Sequence, residues 1–406
     1  MDNRTSSFSV HPPIELSSFC VSEEYGFILT DPLTDLPEYY RAWMDLATKL
    51  TDLVKTRQFR HRVAELPLLS TCYLRGHREL RLAHLALGVI TMGYVWQEGP
   101  HQPAKVLPKV LAVPYCAVSE MLGLPPILVY ADCVLANWKL RNPDGPMEIE
   151  NMDTLFTVFG EDSSKGFFLI SLLVEKAASS GMQGITMVMN SMLTHDITGI
   201  QEALAVVEDS IRKMREAFKL MHKYVDPMAF HNNVRIFLMG WKDNAALPDG
   251  LWYEGVREEP VCLYGGSAAQ SSSIQCFDQL LGVKYSDHTS WAYMRRMQAY
   301  MPPPHRRLVD TLSSWPPLRT YILSSSSPEL RRAYNSCVSA LVDLRCYHLN
   351  TVVRYVTIPG HKTSGVSCPF RGLHAIQRSQ GTGGTNALPF LKGIRDDTKQ
   401  AMITDQ

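Results

Sequence analysis

The chain has no Cys-x-x-Cys pair, no run of lysine or arginine and no long unbroken apolar stretch, and each absence removes a class of protein. Nine cysteines, at 20, 72, 116, 133, 262, 276, 337, 346 and 368, are odd in number and scattered. That spacing argues against a disulfide framework, a zinc ribbon and covalent cofactor attachment through Cys-x-x-Cys-His, and it suits a reducing compartment. Lys plus Arg and Asp plus Glu both number 40, so no overall field gathers nucleic acid or an anionic membrane. The opening MDNRTSSFSVHPPIELSS lacks the apolar core of a secretory signal. The longest apolar stretch, Leu82 to Trp96, is broken by His84 and Thr91 and falls short of the roughly 20 residues a spanning helix needs. The expectation is a cytosolic protein with neither nucleic acid nor membrane as partner.

What is present is an ordinary globular composition, 45% hydrophobic and 20% charged over 406 residues, enough for a large core in two domains or one enlarged one. Residues 1–35 are rich in serine and hold Pro12, Pro13 and Pro32, with a possible short strand at Tyr25–Leu29. His77–Gln97 reads as a buried helix, and prolines at 103, 108, 114, 125 and 126 then divide the next fifty residues. Residues 1–155 are expected to form a smaller, mixed α/β domain.

Beyond residue 155 the apolar period becomes helical. Ile197, Ile200, Leu204, Val207, Ile211, Met214, Phe218, Met221 and Val225 recur at steps of three and four, predicting one helix of about eight turns. Phe167–Val174 is apolar but for Ser171, which predicts the start of a buried central helix. A third helix over Ser327–Ile358 carries Leu330, Tyr334, Leu341, Leu344, His348 and Val352 on one stripe, with Pro359 as its stop. Residues 359–385, rich in glycine and serine, read as a mobile loop before a last helix from Ala387. The fold class is therefore mainly α, with a large helical domain over 156–406.

His348 occupies a position where the stripe calls for a leucine. Such a histidine is either a core residue held by a hydrogen bond or a neutral imidazole ligand to iron. Arg345, three residues earlier on the same side, needs an anion in a buried setting: a haem propionate, or a carboxylate such as Asp343 or an acid on a neighbouring helix. Phe230 and Arg235, five residues apart, lie about 140° apart on a helix and are candidates to wall one cavity that takes an aromatic body with a carboxylate. Gly265-Gly-Ser-Ala-Ala-Gln-Ser matches a nucleophile elbow weakly, and Ser267 as a helix cap fits the following residues better. Gly381-Thr-Gly-Gly-Thr lacks the lysine and the preceding strand of a phosphate loop.

These motifs together resemble the vertebrate indoleamine 2,3-dioxygenases over nearly the whole chain. The resemblance rests on Pro125-Pro-Ile-Leu-Val-Tyr-Ala-Asp-Cys-Val-Leu-Ala-Asn-Trp, Ser164-Lys-Gly-Phe-Phe-Leu-Ile-Ser-Leu-Leu-Val-Glu, Gly265-Gly-Ser-Ala-Ala-Gln-Ser, Tyr300-Met-Pro-Pro, Leu344-Arg-Cys-Tyr-His and Gly381-Thr-Gly-Gly-Thr. It implies a small N-terminal α/β domain over a large helical one, with haem b between them, His348 as proximal ligand and Arg345 at a propionate. It further implies a distal pocket of Tyr130, Cys133, Val134, Phe167, Phe168, Ser171, Phe230, Arg235, Leu238, Gly266, Ser267, Ala268 and Thr382. In that pocket Arg235 would hold the substrate carboxylate and Phe230 and Phe167 would pack on the indole. Ser171 and the backbone near Thr382 would meet polar atoms of the substrate or bound oxygen. The implied reaction is oxidative opening of the indole ring of L-tryptophan by O₂, with an external electron donor keeping the iron ferrous. Departures from the family pattern are His231 in place of a second Phe, Met239 in place of Ser, and Cys346 in place of Ser. His231 is expected to make the pocket wall wetter.

Two readings of other classes stand beside this one. Val113-Pro-Tyr115-Cys-Ala-Val118 and Leu251-Trp-Tyr253-Glu-Gly-Val256 fit a tyrosine motif read, when phosphorylated, by SH2 domains, so a signalling scaffold is one alternative. A haem-binding protein without turnover is the other.

Overall fold

Residues 11–362 and 386–404 are described here from a computed structural model; Thr382 and nearly all of the 359–385 segment lie outside them. The architecture is mainly α, as the periodicity predicts. The principal helices are α1 (Arg41–Thr48), α2 (Gly76–Trp96), α3 (Lys109–Leu122), α4 (Glu161–Leu193), α5 (Ile197–Lys219), α6 (Ser272–Leu280), α7 (His288–Gln298), α8 (Pro303–Ser314), α9 (Pro328–Val352) and α10 (Ala387–Gln400). Strands are two residues long. β1 (Val106–Leu107) pairs in parallel with β4 (Trp252–Tyr253), and β2 (Lys139–Leu140) pairs antiparallel with β3 (Met152–Asp153). No helix among the described residues is long and apolar enough to cross a membrane.

Helix boundaries follow local chemistry. Asp196 caps α5 by accepting from Gly199 N–H at 3.0 Å, and Ser327 caps α9 by accepting from Leu330 N–H at 3.2 Å, with Pro328 in the first turn where its missing N–H costs nothing. Glu161 and Asp162 open α4, favourably placed for the helix dipole. The stripe Ile200, Leu204, Val207, Ile211 and Met214 is fully buried against α4 and α9, and Ser210 Oγ donates to Ala177 O of α4 at 2.8 Å. Helix α2 is buried on nearly all sides, as Leu82–Trp96 predicts, and Trp96 Nε1 donates to Met239 O at 3.0 Å.

Three local expectations are corrected. Tyr25–Leu29 is no strand: Ser22 and Gly26 exchange their backbone hydrogen bonds with each other and close a tight turn, and beyond it only a single bond, Leu29 N–H to Leu135 O at 3.0 Å, reaches a distant segment. The long helix from Ile197 ends at Lys219, where Leu220 N–H turns to Ala217 O three residues back, and a separate turn covers Met221–Tyr224. Pro359 does not stop the helix from Ser327. The chain widens into a π turn at Val353–Thr357, where Ile358 N–H reaches back to Val353 O, and helix resumes over Ile358–Lys362. The wider ladder takes up a proline that a regular α-helix would reject.

His305 on α8 is 4% exposed, edge-on to Phe27 at 4.8 Å, and burial, reinforced by the charge of Arg81, pushes it down to about 3. It is neutral in the folded chain, whereas the unfolded chain takes up that proton near pH 6.5. Its contribution to stability is thus intact above about pH 6.5 and is lost as the pH falls toward 3. Urea titrations between pH 7 and 4 should show declining stability, by up to about 1.4 kcal/mol per pH unit from this group. His305→Leu should flatten the slope without abolishing it, because His348 is shifted in the same direction. An unchanged slope in the variant would remove His305 as the cause.

Candidate active site

The helical packing leaves a cavity of about 300 Å³, walled by α4, α5, α9, α10, the turn at Tyr130–Cys133 and the 265–271 loop. By the same measure a water needs roughly 10–15 Å³, so the space suits a large guest and not a stray solvent molecule. Of the residues the sequence implies, Tyr130, Cys133, Val134, Phe167, Ser171, Phe230, Arg235, Leu238, Gly266, Ser267, Ala268, Arg345 and His348 all line it. Thr382 lies outside the described residues. Phe168 does not line the cavity; it is buried behind Phe167, ring to ring at 5.6 Å. The reason is helical phase, since Phe167, Ser171 and Val174 share the cavity face of α4 and Phe168 points to the core.

His348 faces the cavity from α9, with the Phe218 ring 5.8 Å away. Burial, and secondly the positive charge of Arg345, lower its ring to about 4, so it is a neutral imidazole at physiological pH. No described residue hydrogen-bonds to its ring, so among the described residues the imidazole nitrogens meet only the cavity. Arg345 meets the carboxylate alternative: its Nη2 donates to both oxygens of Asp278 on α6 at 2.8 and 2.7 Å, and Nη1 donates to Thr398 Oγ1 of α10. Tyr285 OH adds a 2.6 Å bond to Asp278. The guanidinium is therefore held rigidly at the cavity edge, one turn from His348.

On the opposite side, Phe230 opens a π turn over Phe230–Val234, and Arg235 N–H donates back to Phe230 O. This five-residue ladder brings the two residues to one side of their helix, where a regular α-helix would set them about 140° apart. Arg235 is 2% exposed, and burial lowers it only to about 10, so it stays a cation at neutral pH. The Phe167 and Phe230 rings lie 4.9 Å apart, and Tyr355 meets Phe230 edge-on at 6.0 Å. Ser171 OH donates to Phe167 O at 2.8 Å, which leaves its oxygen lone pairs, not its proton, for a guest.

The two wall segments opposite α4 are positioned by buried polar groups. Gly240 lets the chain approach 263–265 so closely that a Cβ there would sit 2.2 Å from Gly265 N, and this contact delivers Gly266 and Ser267 to the cavity. Ser267 caps the short turn Ala268–Gln270, while Ser271 caps α6, so the cap expected of Ser267 is divided between two serines. At Tyr130–Cys133, Asp132 is gripped by His84 Nδ1 at 2.8 Å, and His84 Nε2 lies 3.1 Å from Ser119 Oγ. This serine, histidine and aspartate set is fully buried and serves as a brace.

Sequence reasoning missed Glu175, Asp278, Tyr355 and the α10 residues Phe390 and Ile394. Glu175 follows Ser171 by one turn on the same face of α4 and so shares the cavity wall. Asp278 answers the demand of Arg345 for an acid. His231 does not wet the wall as expected: it is 1% exposed and absent from the lining, as is Met239, because the π turn rotates Phe230 and Arg235 inward in their place. The phosphotyrosine reading is also corrected. Tyr115 sits inside α3 and Tyr253 in β4, both 0% exposed, with Tyr253 OH donating to Pro126 O at 2.6 Å, so neither phenol is open to a kinase or an SH2 domain in the folded chain.

The residues fit haem b. The neutral imidazole of His348 would hold the iron, and the apolar faces of Met214, Phe218, Leu344 and Ile394 would receive the macrocycle. At Gly266 a Cβ would meet nothing closer than 3.6 Å, so the missing side chain leaves room in the cavity and not in the protein packing.

Comparison with known proteins agrees. The family model described as indoleamine 2,3-dioxygenase matches residues 15–401. The chain is 45% identical over 403 residues to indoleamine 2,3-dioxygenase 2 of Mus musculus, covering 99% of both chains. It is 45% identical over 398 residues to indoleamine 2,3-dioxygenase 1 of Rattus norvegicus, covering 96% of both, and 35% identical over 390 residues to a myoglobin of Haliotis madaka, covering 95% of this chain and 98% of the other. With a match of this extent, and a cavity built from the same motifs, the chain belongs to the indoleamine 2,3-dioxygenase family and is an oxidoreductase of the dioxygenase class.

Proposed function

We propose that the protein binds haem b on His348 and uses O₂ to open the indole ring of L-tryptophan, giving N-formylkynurenine. Both oxygen atoms enter the product as the C2–C3 bond breaks, and an external electron donor keeps the iron ferrous. The observation that carries this reading is the placement of a neutral His348 and a buried cationic Arg235 in one cavity with the Phe167 and Phe230 rings. When bound, the haem supplies the oxygen chemistry.

The chain's own residues supply orientation and a dry site. Arg235 holds the substrate carboxylate by charge-assisted hydrogen bonds, and the two phenylalanine rings pack on the indole. The apolar walls exclude water, which strengthens the Arg235 contact. The Ser171 oxygen is an acceptor for a substrate N–H. Arg345, fixed by Asp278, sets positive charge at the edge where haem propionates would lie. We place the protein in the cytosol, on the free thiols of its eight described cysteines. A second reading, oxygen binding without turnover, is favoured by the Haliotis relative, which bears the name myoglobin.

His348→Ala should abolish the Soret band of the purified protein together with kynurenine formation. A variant that kept both would overturn the ligand assignment, while wild type with a Soret band and no product would favour oxygen binding alone. Arg235→Ala should lower kcat/KM for tryptophan roughly 10- to 150-fold, from loss of about 1.5–3 kcal/mol. Tryptamine, which lacks the carboxylate, should show little difference between wild type and variant. An equal loss with tryptamine would contradict the carboxylate role.

A further inference from the structure

Glu175 lies in the cavity wall, 2% exposed, and takes three hydroxyl donors from two separate chain segments. Tyr130 OH donates to Oε1 at 2.9 Å, Ser271 Oγ to Oε1 at 2.5 Å and Ser273 Oγ to Oε2 at 2.6 Å. Each donor is committed. Ser271 Oγ accepts from Ile274 N–H at 3.4 Å, so its own proton goes to Glu175, and Tyr130 stays protonated because burial raises its phenol well above the ordinary range.

The segments joined this way are those that cannot hold their own shape. Tyr130–Cys133 is a single helical turn, too short to persist alone. Ala268–Gln270 is one tight 3₁₀ turn. Tyr130 N–H donates to Gln270 Oε1 at 3.0 Å and Gln270 Nε2 donates to Gly265 O at 2.9 Å, so the two segments form one wall. Asp132 and His84 brace that wall from its core side, and Glu175 ties its cavity side to α4, the helix that also presents Phe167 and Ser171.

We propose that Glu175 is a positioning residue: through Tyr130, Ser271 and Ser273 its carboxylate sets the separation between the Phe167 face of α4 and the opposite wall, and with it the fit of the substrate's ring. This rests on the reading of the cavity as a tryptophan site. Glutamine at 175 keeps the side-chain volume but replaces one acceptor oxygen with an NH₂ group, which cannot accept a hydroxyl proton. The clasp then loosens without opening a hole.

The test uses the haem-loaded full chain as wild type, Glu175→Gln, Tyr130→Phe and the double variant, with Ser273→Ala as a milder change should Glu175→Gln fold poorly. Expected for Glu175→Gln are a KM for tryptophan raised about tenfold, kcat within about threefold of wild type, and a parallel weakening of tryptophan binding to the ferric protein measured from the Soret shift. Hydrogen exchange of the same haem-loaded chains should quicken about tenfold in 128–134 and 265–273 and stay unchanged in α5. The double variant should raise KM no more than the larger single effect, because both changes break one clasp. Wild-type KM and Soret titration in Glu175→Gln, or multiplicative effects in the double variant, would refute the positioning role even if the melting temperature dropped. Wild type without a Soret band or product would instead refute the underlying functional reading.

Discussion

Burying a carboxylate without a partner costs several kcal/mol, and around the cavity this protein buries Asp132, Glu175 and Asp278. Each is satisfied by a different kind of donor. An imidazole answers Asp132, three hydroxyls answer Glu175 and a guanidinium answers Asp278. Because the penalty is relieved only when the partners arrive in good geometry, these groups specify where α2, α4, α6, α9 and the two short wall segments must stand. Apolar packing is tolerant of small shifts, whereas a buried guanidinium–carboxylate pair at 2.7–2.8 Å is not. The cavity is thus an opening framed by polar contacts inside a core that would otherwise close on itself.

The π turns do related work by altering phase. In a regular helix Phe230 and Arg235 would face different neighbours. The wider ladder at 230–234 turns the ring and the cation toward the same space and leaves His231 in the core. The turn at 353–357 likewise carries Tyr355 into the cavity wall beyond His348 and lets the helix continue through Pro359. Both irregularities sit against the cavity, where a local departure from the α-helix alters which side chains a guest meets.

Much of this is legible in the residues. Apolar periodicity locates α2, α4, α5 and α9, and the misfit of His348 and Arg345 on an apolar stripe marks the site from the chain alone. The fine positions are not legible. Periodicity assumes a constant 3.6-residue turn, so it cannot foresee a π turn; the stop expected from Pro359 and the wall position implied for His231 by the family resemblance both fail for that reason. The identity of the anion at Arg345 requires tertiary contacts, since Asp278 lies 67 residues away in the chain. Glu175 looks like an ordinary charged residue on a helix. The three hydroxyls that make it tolerable come from residues 130, 271 and 273, and no local rule joins them. Tyr115 and Tyr253 show the converse: a six-residue motif carries no information on burial.

Helix α10 supplies Ala387, Phe390, Leu391 and Ile394 to the cavity and Thr398 to the Arg345 clasp, all later in the chain than every other described wall. Chains are synthesised from the N-terminus, and earlier segments fold as they emerge. During synthesis α4, α5 and α9 can pack while one side of their common cavity is still missing. The wall that α10 contributes is the last of the described walls to be made, so a bulky guest meets an open flank there until α10 docks.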